Sequence, residues 1–466
     1  MRLHLPLEGE GSLRHRLYRD LREALKRGGL HLGERLPPSR ELAGHLGVGR
    51  KTVVEAYEQL VAEGFFHTRP GSGTFVARLP PATESGRPDA PGPGPGNHWR
   101  PGSVWGGRQT PHYFNFAGGV TDRRRLPHGD WRRALSRALR QQEGDTSLYG
   151  DPAGDEGLRR AITHYLAYSR GLPCAAQDLL VVQGAQQGLD LLARVRVAPG
   201  DVVAVEEPGY PPARAVFEAR GARVVGVPVD EQGLRVDRLP ASVSLIYVTP
   251  SHQFPLGMPM GLQRRLALLD FARRHDALVV EDDYDGEFRF QGRALDALKS
   301  LDRHQQVAYL GSFSKVWHAD LRLGYLVMPA GLAPALRQAR TFSDGYPPAL
   351  TQRALALLME NGAFARHLRR MQRLYERRRS RLLTALQQAS RSWTPLPQVA
   401  GLHLAVRFEQ WVPALPEKLA AANISAQDLG SFYRHAGAAG TGVLLGLGMI
   451  EESLIDDGVD ALAACL

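Results

Sequence analysis

The stretch Ser312-Phe313-Ser314-Lys315, followed seven residues after the lysine by Arg322 in the run Leu321-Arg322-Leu323-Gly324-Tyr325, decides how this chain is read. It places an amine on a short loop between two apolar strands, beside hydroxyls and a guanidinium that can grip an anion. Of the 58 Lys and Arg residues only five are lysines: Lys26, Lys51, Lys299, Lys315 and Lys418. Arginine carries the generic positive charge here, so a lysine in a polar loop points to amine chemistry that a guanidinium cannot supply.

Around this stretch, residues 113–466 alternate apolar strands with longer helical patterns, which predicts an α/β domain with a largely parallel sheet. The expected strands are Leu179–Val182, Val202–Glu206, Ser244–Thr249, Leu278–Glu281, Val307–Gly311 and Gly324–Met328. Ligands in such sheets sit beyond the carboxyl ends of the strands. There the chain offers Gly184-Ala185-Gln186, a helix start whose free N–H groups attract phosphate, and Glu207-Pro208-Gly209-Tyr210, with a ring that can stack on a flat ligand. It also offers Glu281-Asp282-Asp283-Tyr284-Asp285. Such acids can hold a metal or form a solvated turn, but no histidine lies nearby at ligand spacing, so no metal site is expected. Pyridoxal phosphate has needs that this set meets. It requires one carboxylate to keep its pyridine nitrogen protonated, a phenol for its ring oxygen, and an amine partly deprotonated by burial and by a neighbouring cation such as Arg322. The arginine-rich run His367–Leu383 predicts one long solvated helix with Leu368, Met371, Leu374 and Leu382 facing inward.

Residues 1–77 read differently. Leu13, Leu17, Leu21 and Leu25 recur at a helical period. Ser39 is a good N-cap after two prolines for a helix running to Leu46, Gly47-Val48-Gly49 makes a turn, and a second helix runs from Arg50 to Glu63. Phe65–Arg69 and Thr74–Ala77, joined by Pro70-Gly71-Ser72-Gly73, predict a hairpin wing. The second helix opens with Arg50-Lys51-Thr52, cations and a hydroxyl where a recognition helix meets bases and phosphates, and Arg40 suits a phosphate or groove contact. Between the two parts, residues 78–112 are rich in Pro and Gly and predict a flexible tether.

These motifs carry two resemblances. The runs Leu36–Ala43, Leu46–Val53, Ala56–Leu60 and Gly71–Val76 resemble the GntR-type winged helix-turn-helix, which implies double-stranded operator DNA as partner and contacts from Arg40, Arg50, Lys51, Thr52 and Gly71. Tyr149-Gly150-Asp151-Pro152-Ala153-Gly154, Gly184-Ala185-Gln186, Glu207–Tyr210, Thr249–Pro255, Asp282–Tyr284 and Ser312–Arg322 resemble the fold-type I pyridoxal-phosphate aminotransferases. That resemblance implies Lys315 as the Schiff-base lysine, Asp282 at the pyridine nitrogen, Tyr284 at the ring oxygen and Tyr210 stacked on the ring. It further implies phosphate contacts from Gly184, Ala185, Gln186, Ser312, Ser314 and Arg322, with Tyr149 reaching the site of a neighbouring subunit in a homodimer. The chain departs from that pattern at Phe254, where the family has asparagine and where His252 or Gln253 is a candidate substitute. It departs again at Leu444, where aminotransferases carry the arginine that clamps a substrate carboxylate.

Joined, the two resemble the MocR subfamily of bacterial transcription regulators, implying regulation through pyridoxal phosphate with an amine or amino-acid effector. The alternative is a working aminotransferase that carries a DNA-binding module. A formal net charge of +10 and a pI near 9.8 suit a polyanionic partner. The two cysteines, Cys174 and Cys465, are far apart and indicate neither a disulfide framework nor a zinc site. Without an apolar run long enough for a bilayer or a signal-peptide core, the expected address is the cytoplasm, with no membrane partner.

Overall fold

Leucines four apart form a stripe on a helix. In the computed structural model Leu17, Leu21 and Leu25 are the buried face of α1 (Leu13–Lys26). The structure describes residues 5–79, 112–142, 149–290, 292, 295–390, 392–397, 400–434 and 441–466. The chain divides into two compact units, residues 1–95 and 96–466. The expected tether lies almost wholly outside the described residues, which omit 80–111.

In the smaller unit, α2 (Ser39–Leu46) ends at Gly47, whose φ of 66° is a left-handed conformation that glycine adopts without strain. Then come α3 (Arg50–Ala62) and an antiparallel hairpin of β1 (Phe66–Arg69) and β2 (Gly73–Val76). Val53, Ala56, Tyr57 and Leu60 of α3 pack with the α1 leucines, and Phe66 and Val76 of the hairpin join the same core. One expectation is corrected. Pro38, not Ser39, is the N-cap of α2: its ψ of 142° is the extended geometry of a cap, and its ring-fixed φ of −54° suits the turn into the helix. Ser39 becomes the first helical residue, and its hydroxyl accepts from Arg50 Nε at 3.5 Å.

The large unit opens with the short strand β3 (Phe114–Asn115). Its main sheet comprises β4 (Leu179–Val182), β5 (Val202–Glu207), β6 (Arg223–Asp230), β7 (Gly233–Leu234), β8 (Val243–Val248), β9 (Leu278–Asp283), β10 (Val307–Ser312) and β11 (Gly324–Val327). Their spatial order is β4-β11-β10-β9-β8-β5-β6-β7. Strands β6, β5, β8, β9 and β10 run parallel, and most of their Val, Ile and Leu side chains are buried. Strand β11 is antiparallel to both β10 and β4, so the sheet is mixed. The reason is the connection: a loop with only a short 3-10 turn, and no crossover helix, joins β10 to β11 and turns the chain back. That loop carries Lys315 to the carboxyl end of β10.

Further on lie β12 (Trp393–Pro395), β13 (His403–Phe408), β14 (Ile424–Ser425), β15 (Gln427–Asp428) and β16 (Gly442–Gly446). Four of them form a second sheet, β12-β13-β16-β15, and β14 pairs with β3. The long helix expected over His367–Leu383 spans Ala363–Ala389, with Met371, Leu374 and Leu382 buried. Arg378, expected on its solvated side, is wholly buried: it pairs with Asp122 at 2.9 Å and donates to the carbonyls of Leu447 and Gly448. Carbonyls left free where a strand ends can take up a guanidinium that periodicity alone would leave in water.

Candidate cofactor site and DNA-contact surface

The carboxyl ends of β8, β9 and β10 bring the chemistry together. Lys315, Asp282, Tyr284, Ser312, Ser314, Arg322, Ala185, Gln186 and Tyr210 all line one cavity of about 400 Å³. Gly184 caps the helix Ala185–Arg196 with φ 82°, and a Cβ placed there would stand 3.0 Å from the Arg322 guanidinium. That helix has no side-chain cap, so its first N–H groups stay available to an anion. Arg322 itself adopts a left-handed φ of 49° and donates to the Gln183 carbonyl at 2.8 Å. Ser314 N–H donates to Ser312 Oγ at 3.1 Å, which orders the loop between them.

Asp282 is buried, and Tyr247 donates to its Oδ2 at 2.7 Å. Its Oδ1 is also buried and has no hydrogen-bond partner among the described residues. Burial, reinforced by Asp283, pushes this carboxyl up to about 7, against the lowering effect of Tyr247 and Lys315. A protonated ring nitrogen is the group that such an orphaned oxygen lacks. The Lys315 amine donates to the Gly119 carbonyl. Burial holds it below the ordinary value of a lysine, Arg322 works in the same sense, and Asp285 and Asp282 oppose them. An orphaned carboxylate oxygen, a depressed amine and an arginine against a glycine-capped helix start are the donor set of pyridoxal phosphate, and the residues present fit that group.

Tyr284 Oη lies 2.9 Å from His252 Nδ1, which in turn lies 3.0 Å from Asp285 Oδ1. Burial works to raise Asp285, but His252 beside it holds the carboxyl below its ordinary range. Of the two candidates to replace the missing asparagine, His252 touches Tyr284. Gln253 turns instead to the carbonyls of Pro208 and Phe254 at 2.9 and 2.7 Å. His403 completes a buried His252–Asp285–His403 group, which corrects the premise that no histidine lies near the acids. The fold supplies both histidines from distant stretches. Within this group, His403 Nε2 also stands 3.1 Å from the Pro255 carbonyl. Tyr247 was missed as well, although a phenol among the buried aliphatic residues Leu245, Ile246 and Val248 signals a polar partner across the sheet. Tyr149 does not reach this cavity. It is 75% exposed and stacks on Tyr346 with ring centroids 5.1 Å apart.

In the smaller unit Arg40, Arg50, Lys51 and Gly71 are exposed and Thr52 is half-buried. Gly49 caps α3 without a side-chain bond, so Arg50, Lys51 and Thr52 surround an open helix start. Gly71, at φ 73°, forms the wing turn with open space around it. Arg69 lies over the Phe75 ring at 5.2 Å, adding a wing cation that the sequence motifs did not single out.

The family model for aminotransferase class I and II matches residues 113–433, and that for bacterial regulatory proteins of the gntR family matches residues 13–76. The chain is 38% identical to the probable rhizopine catabolism regulatory protein MocR of Rhizobium meliloti, over 87% of this chain and 84% of that one. It is 37% identical to the transcriptional regulator TauR of Rhodobacter capsulatus, over 81% and 80% of the two chains. Among solved structures, a kynurenine aminotransferase of Pyrococcus horikoshii in complex with PMP superposes with a TM-score of 0.70 at 26% identity, covering 76% of this chain and 91% of that one. Matched in both units and over most of its length, the chain belongs to the MocR-type regulators, in which a gntR-family winged helix-turn-helix is joined to a class I and II aminotransferase domain of the pyridoxal-phosphate-dependent kind.

Proposed function

We infer that this chain is a transcription regulator whose large domain, residues 113–466, holds pyridoxal phosphate and an amine or amino-acid effector, and so changes how residues 1–77 bind an operator. The observation that carries this reading is the orphaned Asp282 Oδ1 in the same cavity as Lys315 and Arg322. Asp282 would accept from the ring nitrogen, Tyr284 would donate to the ring oxygen, and Tyr210 would cover the ring. Ser312, Ser314, Arg322 and the amides at Gly184, Ala185 and Gln186 would hold the phosphate. When bound, the cofactor supplies an electron-withdrawing ring and a carbonyl that condenses with amines. Lys315, whose hold on its proton is weakened by burial, offers that amine and can pass a proton to a ligand bound beside it.

On the DNA side, Arg40, Arg50, Lys51, Thr52 and Gly71 contact phosphates and base edges of duplex DNA. An effector shifts how the head meets DNA only by binding one state of the protein better than another. Exposed Tyr149, Phe342 and Tyr346 suit a homodimer surface. No described helix is long and apolar enough to cross a membrane, and we place the regulator in the cytoplasm with its DNA.

A working aminotransferase is the second reading, favoured by the completeness of the Lys315, Asp282, Tyr284 and Arg322 set. Leu444, buried where a carboxylate clamp would stand, argues for sensing over turnover. The deciding experiment measures affinity for the upstream DNA with and without pyridoxal phosphate, and assays amino donors with a keto acid. A cofactor-dependent change in affinity with no sustained turnover supports regulation. Sustained turnover with unchanged affinity supports the enzyme.

A further inference from the structure

The cavity that holds Lys315 is poorly built for a second anion. Among the described lining residues its cations are Lys315 and Arg322, and both belong to the cofactor set. Its acids, Asp282 and Asp285, repel a carboxylate. His403 also lines it, but burial and the neighbouring His252 push this imidazole down to about 3, so it stays neutral. Neither Arg214 nor Arg434 lines the cavity. Arg434 is turned elsewhere, donating to the Val224 carbonyl with Glu218 at 3.9 Å. The undescribed stretch 435–440 contains no Lys or Arg.

What the lining offers instead, among the described residues, is apolar surface and, besides the Asp282 Oδ1 assigned to the cofactor, a free acceptor on Gln427. Leu444 pairs in register with Ala405 and Gln427 and lies directly behind the lining residue Gly118, where its Cδ2 leaves no room for a Cβ on that glycine. Leu444 clusters with Phe254, Ala405, Leu429 and Phe432, and Tyr210 and Tyr284 pack on the same cluster. Gln427 Oε1, in the lining, is buried without a partner among the described residues and is suited to an N–H or O–H of a ligand. A carboxylate against this wall would lose its water without gaining a charge partner, whereas an uncharged tail would not.

We propose that the ligand taken up beside the cofactor is a primary amine whose tail carries no carboxylate, rather than an α- or ω-amino acid. This rests on the reading of the cavity as a pyridoxal-phosphate site. The test uses the full chain saturated with pyridoxal phosphate and matched probes: phenethylamine against phenylalanine, isopentylamine against leucine, and pentylamine against 5-aminopentanoate. Each is titrated while following the visible absorbance of the cofactor and the melting temperature. The expected result is half-saturation by each amine at a concentration about tenfold or more below that of its carboxylate partner, with Leu444→Arg narrowing or reversing the ratio. Equal or tighter binding of the amino acids by the wild-type chain overturns the proposal, as does the absence of any response to all six probes. Should Leu444→Arg fail to fold, the wild-type pairs still decide. Failure of the wild-type chain to develop a visible band with pyridoxal phosphate would instead overturn the cofactor reading, which separates the two failures.

Discussion

The hydroxyl of Tyr247 donates to Oδ2 of Asp282 at 2.7 Å, while Oδ1 of the same buried carboxyl has no partner among the described residues. A half-satisfied buried acid is costly, and sites of this kind are kept where a ligand completes them. The half that Tyr247 satisfies fixes the carboxyl in place. The other half faces the cavity chemistry.

Replacing Asp282 by asparagine should therefore separate stability from binding. With its carboxyl at about 7, above the ordinary 3.8, the ligand-free fold holds this proton more tightly than the unfolded chain does. The stabilising contribution is present below about pH 4 and is lost as pH rises through about 7. Asp282→Asn should make the ligand-free protein more stable at pH 8 by about 2 to 4 kcal/mol, with the gain vanishing near pH 4, while affinity for pyridoxal phosphate falls about tenfold or more. Denaturant unfolding at both pH values checks the first part. A destabilised variant at pH 8 would show that Asp282 is not strained without its ligand.

On the proposed reading, Arg40 of α2 and Arg50 and Lys51 of α3 act through DNA and not through the cofactor. Arg50→Ala should weaken operator binding about tenfold and leave the visible absorbance of the cofactor-bound protein unchanged. Removing Arg40 or Lys51 should lower the salt slope of binding by about one for each phosphate no longer neutralised. Fluorescence anisotropy across a salt series reads both, and an unchanged slope excludes the phosphate role.

Arg378 and Asp122 form a wholly buried pair at 2.9 Å. Burial would raise Asp122, but Arg124 and Arg378 hold its carboxyl below the ordinary range. Arg378→Ala removes the donor to the carbonyls of Leu447 and Gly448 and one of the two guanidinium partners of Asp122, which keeps Arg124 on both oxygens, so the large unit should lose about 2 to 4 kcal/mol. A loss under about 1 kcal/mol in urea unfolding would mean that water replaces the guanidinium.

How much of this was legible in the sequence depends on range. Six of the eight strands of the main sheet were readable because they are buried and rich in Val, Ile and Leu, and Lys315, Asp282 and Arg322 stood at their ends; β6, broken by Gly226 and Pro228, and the two-residue β7 were not. The winged helix was readable from its glycine turns and leucine period. What escaped depended on partners far along the chain. Arg378 looked solvated because helical periodicity shows which face a residue occupies, not that carbonyls of Leu447 and Gly448 await it. Tyr247 and the His252–Asp285–His403 group were hidden because neighbouring strands and the second sheet, not local spacing, bring them to Asp282 and Tyr284. Pro38 takes the cap position one residue before Ser39, within the one or two residues to which helix ends are defined.

The central claim is that Lys315 holds pyridoxal phosphate, and the most direct measurement is chemical. The protein is incubated with pyridoxal phosphate, reduced with borohydride, digested, and its peptides are weighed by mass spectrometry. The expected outcome is a stoichiometric adduct on the peptide carrying Lys315, none on those carrying Lys26, Lys51, Lys299 or Lys418, and no visible band in Lys315→Ala. A stoichiometric adduct on another lysine, or an unaltered band in Lys315→Ala, would contradict it.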